Sequence, residues 1–399
     1  MKVLVSNVGS TSLKFKLFSM PEERLLCESK VERVGSSTDA LFYFHNLSAD
    51  NEILKENCSI ATYSDGILRF LTCLVSPDSG VLAELSELDA IGFKTVLAKG
   101  YYGIHELTDN VMRGLEEYMF VAPAHNGPYI EAISVFRNLL PKTRMIGVFE
   151  TAFHTTIPLY RRMYAIPYEW FEKYGIKRMG YHGASHSYVA QTLEKTYGET
   201  GKAISCHLGG SSSICAIRDG KSEDTSFGFS LQTGIPHANR TGDLDPYIIP
   251  FLMSEGMELS EILQGLSKRG GLLGISGVSN DLREIQQAME HGNERAALAV
   301  DTFVSAIVKC IGAFYAELGG LDRLVFTGGI GENSSMIREK VCTALIHLGI
   351  ELDNEKNAER GTHPRTISSE ISPVKILVIP ANEEIGIARN TYDYILGDK

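Results

Sequence analysis

Val3-Leu-Val-Ser-Asn-Val-Gly-Ser-Thr-Ser-Leu-Lys-Phe-Lys-Leu-Phe18 and Ala203-Ile-Ser-Cys-His-Leu-Gly-Gly-Ser-Ser-Ser-Ile-Cys-Ala-Ile217 share one layout. In each, a short apolar run meets a polar residue, breaks at glycine and hydroxyl residues, then resumes as a second run of strand character. Each stretch therefore reads as a β-hairpin, and the repetition reads as a duplication. Glycine lets the backbone approach a ligand closely, and serine hydroxyls and free amides supply donors without bulk, which suits a phosphate chain. Two such turns facing each other would hold a polyphosphate between two domains.

Working outward, apolar runs alternate with stretches of helical period. Strands are expected over residues 2–6, 14–18, 90–93, 145–149, 203–207, 214–218, 323–327 and 375–379. Helices are expected over 129–140, 187–197, 294–318 and 335–348, with a last one over 385–396. A strand-rich opening in each half, followed by alternating helices and strands, argues an α/β fold in two similar domains. The first domain is expected over 1–150 with 385–399 returning to it, and the second over 151–384.

The chain has 399 residues, enough for two domains each with its own core. Its formal charge of −11 disfavours nucleic acid as a partner, because binding to a phosphate backbone needs a basic surface. Seven cysteines without a C-x-x-C pair point to a reducing compartment and away from a zinc knuckle. The N-terminus enters a strand at once without a basic and then apolar leader, and no run of eighteen apolar residues occurs, so neither a signal peptide nor a membrane span is expected; with the reduced cysteines, the cytoplasm is the expected compartment. The ligand should be small.

Eight motifs, two of them within these hairpins, carry a resemblance. Asn7 to Lys14, Val148 to His154, Gly180 to His186, Cys206 to Gly209, Asp224 to Gly228, Arg240 to Asp243, Phe326 to Asn333 and Asn382 to Glu384 occur in the order and at the spacing seen in acetate kinases. The sequence resembles that family nearly end to end. The resemblance implies the duplicated fold shared with actin and the sugar kinases, and reversible transfer of the ATP γ-phosphoryl group to a short carboxylic acid. It also implies Mg²⁺ as cofactor and a homodimer.

A carboxylate with a pKa of roughly 4 to 5 is already ionised at neutral pH, so this nucleophile needs no general base. The site must instead supply cations and donors that bring two anions together and stabilise charge on the phosphoryl oxygens. By resemblance, Arg240 and His182 stabilise the transferring group, Glu150 occupies the essential acidic position, and Asn7 and Glu383 lie near Mg²⁺. Lys14 and His125 would face the phosphates. His207, Gly209, Gly210 and Ser211, then Asp281, Leu282 and Arg283, then Gly329, Ile330, Gly331, Glu332 and Asn333 match the nucleotide-binding stretches. The last of these follows a strand and precedes a helix, an arrangement that aims amides at an anion. A structural role is the competing reading for His154 and His207, and a salt bridge to Asp243 or Asp245 is the competing reading for Arg240.

The departures from the family concentrate at the acid-binding end. Glu150 replaces Asp, which keeps the charge and extends it by one methylene. Lys94 replaces a carboxylate-binding Arg, exchanging a planar fork for a point charge. Gly210 replaces an Asn. In the acid pocket, Ala124 replaces a Leu, Tyr181 a Phe and Leu231 a Pro. The change at 124 opens room for about three carbons, and Tyr181 adds a hydroxyl for a polar substituent. Three readings follow: a kinase for a larger or polar acid, a weakened acetate or propionate kinase, and an ATP-binding protein without turnover.

Overall fold

The computed structural model describes residues 1–9, 11–48, 54–119, 121 and 123–397, with the side chains of 123–125 outside the described set. The chain divides into two compact units, Met1–Ala152 with Asn382–Lys399, and Phe153–Ala381.

The first unit is built on an eight-stranded sheet. Its strands are β1 (Lys2–Val8), β2 (Ser12–Ser19), β3 (Arg24–Glu32), β4 (Ser36–Asn46), β5 (Leu54–Ile60), β6 (Ala90–Thr95), β7 (Ile104–Glu106) and β8 (Arg144–Phe149), in the order β5-β4-β3-β2-β1-β6-β8-β7. β1 and β2 form the first glycine hairpin, with Asn7 opposite Lys14. Phe15 on β2 stacks on Phe70 at 4.3 Å and meets Phe136 edge-on at 6.0 Å, so the helices Tyr63–Leu74 and Pro123–Leu139 are fixed to the sheet by one aromatic cluster.

The second unit holds β9 (Lys202–His207), β10 (Ser213–Arg218), β11 (Lys221–Thr225), β12 (Arg323–Thr327), β13 (Arg365–Thr366) and β14 (Lys375–Val378), in the order β11-β10-β9-β12-β14-β13. Alternation along its strands sorts side chains between two layers. Ile204, Ile214, Ala216, Leu324 and Phe326 join Val300, Phe303, Ile307 and Ile311 of helix Glu294–Leu318. Ala203, Cys215, Ile217 and Val325 join Val189 and Leu193 of helix Gly183–Tyr197. Helix Glu294–Leu318 is long and apolar enough to cross a membrane by length and composition; here it supplies the core of this unit.

The two sheets share a centre. β3-β2-β1 is an antiparallel meander followed by parallel β6 and β8, and β11-β10-β9 is one followed by parallel β12 and β14. The fold is thus α/β in two similar halves, and the repeated hairpins are its corresponding corners. β3, β4 and β5 were not expected. β4 reads Ser-Ser-Thr-Asp-Ala-Leu-Phe-Tyr-Phe-His-Asn, with a central apolar run between polar ends, and along that run buried and half-buried positions alternate.

Candidate functional site

In the first unit, three parallel strands end side by side and place the acidic and basic residues that the sequence singles out. Lys94 pairs in register with Val148, and Thr95 with Phe149, so Glu150 emerges beside Lys94 and its N–H donates to the Thr95 carbonyl at 2.8 Å. Helix Glu383–Leu396 packs over β1 and β6. A Cβ at Gly92 would stand 2.2 Å from Thr391 Oγ1 and 3.0 Å from Ile387, so only glycine admits the helix at this depth.

The first turn of that helix delivers Glu383 to Lys94. The Lys94 ammonium lies 3.0 Å from Glu150 Oε1 and 2.5 Å from Glu383 Oε2, with side-chain exposures of 18%, 5% and 14% for Lys94, Glu150 and Glu383. Burial works against the Lys94 charge, but Glu150 and Glu383 outweigh it and hold its pKa well above the ordinary lysine value. Beside it the Tyr129 hydroxyl is pushed up by burial, with the two carboxylates adding to the shift against the opposing Lys94 charge.

Asn382 Oδ1, on the residue that precedes Glu383, is buried without a hydrogen-bond partner among the described residues. The triad carries two negative charges against one positive. Hard oxygen donors with a residual negative charge fit Mg²⁺, which takes one or two carboxylates and keeps the rest of its shell for water and phosphate. Asn7 stands at the end of β1, half-buried, and Lys14 is exposed on β2. Ala124 and His125 lie outside the described residues as far as their side chains go.

In the second unit, the β9–β10 turn meets the start of helix Gly328–Asn333. His207 pairs with Thr327, and Gly209 lies so close to Gly329 that a Cβ on it would stand 3.8 Å from the Gly329 nitrogen. A Cβ on Gly210 or on Gly329 would meet nothing within 4 Å, and the Ser211 hydroxyl is buried without a partner among the described residues. The chain turns into the helix at Gly328, whose φ of +77° brings it onto the Leu208 carbonyl, 2.7 Å from where a Cβ would sit.

Several expectations change here. The amides of Ile330 and Gly331 donate to the Leu208 carbonyl at 2.8 and 3.1 Å, and the Gly209 amide donates to Ser212 Oγ at 3.1 Å. The first two N–H groups tie the helix to the turn and the third closes the turn on itself, so these three are not aimed at an anion. Leu282 is 5% exposed within the hydrophobic core, so its side chain is no nucleotide contact. Asp281 caps helix Leu282–Glu290 through the Arg283 N–H, and hydrogen bonds from the Arg283 side chain and amide lower its pKa to about 2. The Glu332 carboxylate accepts from the Ala381 amide at 2.9 Å, and Asn333 Nδ2 donates to the Gly329 carbonyl at 2.9 Å.

His182 caps helix Gly183–Tyr197 in the left-handed region, φ 58°, which is uncommon for a residue with a Cβ. Its ring lies 4.2 Å from His207 and 5.3 Å from Phe227, and Phe227 stacks on His237 at 5.3 Å. His237 accepts from the Ser212 amide at 3.0 Å, and its N–H donates to the Arg240 carbonyl at 3.1 Å. Burial holds the His237 ring at about 3, helped by the Arg240 charge. The Arg240 guanidinium donates to the Leu231 carbonyl, and burial lowers it to about 10, which leaves it charged at neutral pH. It makes no ion pair among the described residues, because Asp243 accepts from the Gly234 amide at 2.9 Å instead.

Leu231 therefore acts on Arg240 through its backbone. Tyr181 departs from expectation: its hydroxyl donates to the Phe229 carbonyl at 2.6 Å and the residue is 1% exposed, so it is not offered to a substituent on a substrate. His154 is a core residue, bonded to Ser222 Oγ and the Tyr181 carbonyl at 2.9 Å each, and burial lowers it to about 4. Sequence reasoning missed His186 and Ser213, which bond His182's neighbourhood together. The signal was present as two histidines four apart, the cap and the first turn of one helix, where the His186 amide donates to the His182 carbonyl at 3.0 Å.

The sequence pattern of the acetokinase family matches residues 2–389. The acetate kinase of Shouchella clausii is 42% identical over 395 residues, covering 98% of each chain, and that of Clostridium novyi is 41% identical over 400 residues, covering 99% of this chain and 98% of its own. Among solved structures, an acetate kinase of Porphyromonas gingivalis superposes with a TM-score of 0.86 at 37% identity over 99% of both chains. A propionate kinase of Francisella tularensis superposes with a TM-score of 0.89 at 33% identity, covering 98% of this chain and 99% of its own.

Proposed function

The chain belongs to the acetokinase family, and from that premise we propose that it transfers the γ-phosphoryl group of ATP to a short-chain carboxylate, reversibly, giving an acyl phosphate and ADP. The observation that carries this reading is the end-to-end match to acetate kinases at 41–42% identity. The acceptor arrives ionised, so the protein's task is to place two anions in line and to offset their charge. Arg240, half-buried and charged, and His182 at the head of its helix are the donors we assign to the transferring group. Gly209, Gly210 and Ser211 with Gly329 form the turn that we assign to the nucleotide. Glu150 and Glu383, with Asn7 and the Asn382 oxygen, would hold Mg²⁺, which supplies charge neutralisation on the phosphates.

Lys94 differs from a free carboxylate-binding cation in that two glutamates already claim it. We assign it to the substrate carboxylate as a third anion that must compete for the same ammonium. Ala124, in place of a larger residue, favours acids longer than acetate. In the second unit Tyr160, Tyr247 and Phe251 are 74%, 79% and 60% exposed, and a second copy of the chain is the partner we assign to them. Sedimentation would report a dimer.

A hydroxamate assay for acyl phosphate over acetate, propionate, butyrate and a hydroxy acid tests the function. ATP-dependent product with at least one acid is the expected result. ATP binding by calorimetry without product from any acid would overturn it in favour of a nucleotide-binding protein without turnover.

A further inference from the structure

A chain of hydrogen bonds runs inward from His182 through three fully buried residues. His182 Nδ1 is 2.8 Å from Ser213 Oγ, Ser213 Oγ is 2.9 Å from His186 Nε2, and His186 Nδ1 is 2.9 Å from Ser205 Oγ. Ser213, His186 and Ser205 are all 0% exposed, and His182 is 9% exposed. His154 and His207 are the titratable rings against this row, with centroids 5.8 and 6.4 Å from that of His186. Burial, reinforced by those two rings, depresses His186 well below the usual histidine range, so it carries one N–H and one lone pair.

One ring proton and two hydroxyl protons can be arranged along this row in two directions. In the outward direction Ser205 donates to His186 Nδ1, His186 Nε2–H donates to Ser213, and Ser213 donates to His182 Nδ1. His182 Nδ1 is then an acceptor, and the neutral ring carries its proton on Nε2. In the inward direction every bond reverses, and neutral His182 carries its proton on Nδ1.

Ser205 decides between them. Among the described residues its hydroxyl bonds only to His186. The inward direction makes that oxygen an acceptor and leaves a buried O–H with nowhere to donate, whereas the outward direction satisfies every proton in the row. An orphaned hydroxyl of this kind favours the outward tautomer by about 10-fold to 100-fold.

We propose that Ser213, His186 and Ser205 are positioning residues that fix the proton of neutral His182 on Nε2, making it a ready donor to the transferring phosphoryl oxygens. The proposal rests on the role given to His182 above. The nearest analogy in principle is the partner that sets the tautomer of a histidine whose other nitrogen does the work.

The test reads the tautomer directly, by ¹⁵N chemical shifts of selectively labelled histidine in the whole protein, beside steady-state kinetics. Wild type should show His182 as the Nε2–H form. Ser213→Ala should give a mixture of tautomers and lower kcat about 10-fold to 100-fold, with the KM for ATP nearly unchanged. His186→Gln, whose amide can donate to Ser213 where Nε2 did, should keep both the tautomer and most of kcat, whereas His186→Leu should lose both. A wild-type His182 in the Nδ1–H form, or a Ser213→Ala protein with unchanged shifts, overturns the proposal. If the tautomer shifts in Ser213→Ala while kcat stays, the relay stands and the role of His182 in phosphoryl transfer falls.

Discussion

Replacing Lys94 by methionine keeps the length of the side chain and removes the charge that two glutamates share. In the wild type the ammonium sits 3.0 and 2.5 Å from carboxylate oxygens of Glu150 and Glu383, so those oxygens are no more than about 5.5 Å apart. At an effective dielectric constant near 20, two like charges at that separation repel by about 3 kcal/mol. Removing one member of a buried ionic cluster costs about 3 to 5 kcal/mol by the same physics, because the remaining charge has lost both water and partner. Lys94→Met should therefore destabilise the first unit by about 3 to 5 kcal/mol at pH 7, and the loss should shrink in acid as one carboxyl takes up a proton. Adding Glu150→Gln should restore part of it, with a coupling of about 1 to 3 kcal/mol in the double-mutant cycle. Mg²⁺ should stabilise Lys94→Met more than wild type, since the metal can take the place the ammonium left.

The assay must look at the correct unit. Trp170 is the only tryptophan and lies in the second unit, so intrinsic tryptophan fluorescence does not report on β1, β6 and β8. Hydrogen exchange of those strands against urea, at pH 5 and pH 7, does. A loss below about 1 kcal/mol for Lys94→Met, or strict additivity with Glu150→Gln, would refute the claim that the three side chains form one electrostatic unit.

Arg240→Ala should lower kcat by about three orders of magnitude while changing the KM for ATP little, because its charge meets charge that develops in the transition state; steady-state kinetics decide this, and near-normal turnover removes the assignment. Ala124→Leu should shift kcat/KM toward acetate over butyrate by about 1 to 3 kcal/mol, and an unchanged ratio places position 124 away from the acid. Burial holds the His154 ring neutral in the fold by lowering its pKa to about 4, whereas the unfolded chain takes up that proton below about 6.5. The unfolded state thus binds more protons between those values, so stability falls as pH falls through that window by about 1.4 kcal/mol per pH unit for this histidine. His154→Asn should remove that share of the slope in urea unfolding between pH 4.5 and 6.5, and an equal slope in the variant would show that His154 is protonated in the native fold.

Much of the framework was legible because each central strand is an apolar run whose residues are buried on both faces. Ala203–His207 and Arg323–Thr327 read this way, and both are strands that pair in parallel. Strand β5 was not legible, since apolar residues stand only at Leu54, Cys58 and Ile60, whereas β4 carries an apolar run, Ala40–Phe44, inside polar flanks and was missed. The helix Pro123–Leu139 was expected to begin at 129, and the Pro128 inside it is the kind of residue that ordinarily ends a helix. In the site, residue types were legible and partners were not. Lys94 and Glu383 are 289 positions apart, and their contact depends on the glycine at 92 that lets a C-terminal helix settle on β6. The same limit hid the use of the Ile330 and Gly331 amides. A glycine-rich strand-to-helix turn announces that amides are available, but only the register of β9 with β12 puts the Leu208 carbonyl beneath them.

Lys94 and Glu150 look in the sequence like two separate departures from the family pattern, one shortening a planar cation to a point charge and one lengthening an acid. In the fold they are a single contact at 3.0 Å, made where β6 and β8 end in register. An ammonium needs no bidentate geometry, and the extra methylene of Glu150 lets the carboxylate reach it, so each change removes the penalty the other would carry alone. This places a constraint on engineering the acid site we propose for these residues. Arg at 94 with Glu at 150 crowds a niche where Glu150 is only 5% exposed, and Lys at 94 with Asp at 150 draws the two charges apart. Restoring the family's residues should therefore succeed in stability and in carboxylate binding only when both positions are changed together, and the Lys94→Arg, Glu150→Asp pair should behave better than either single variant.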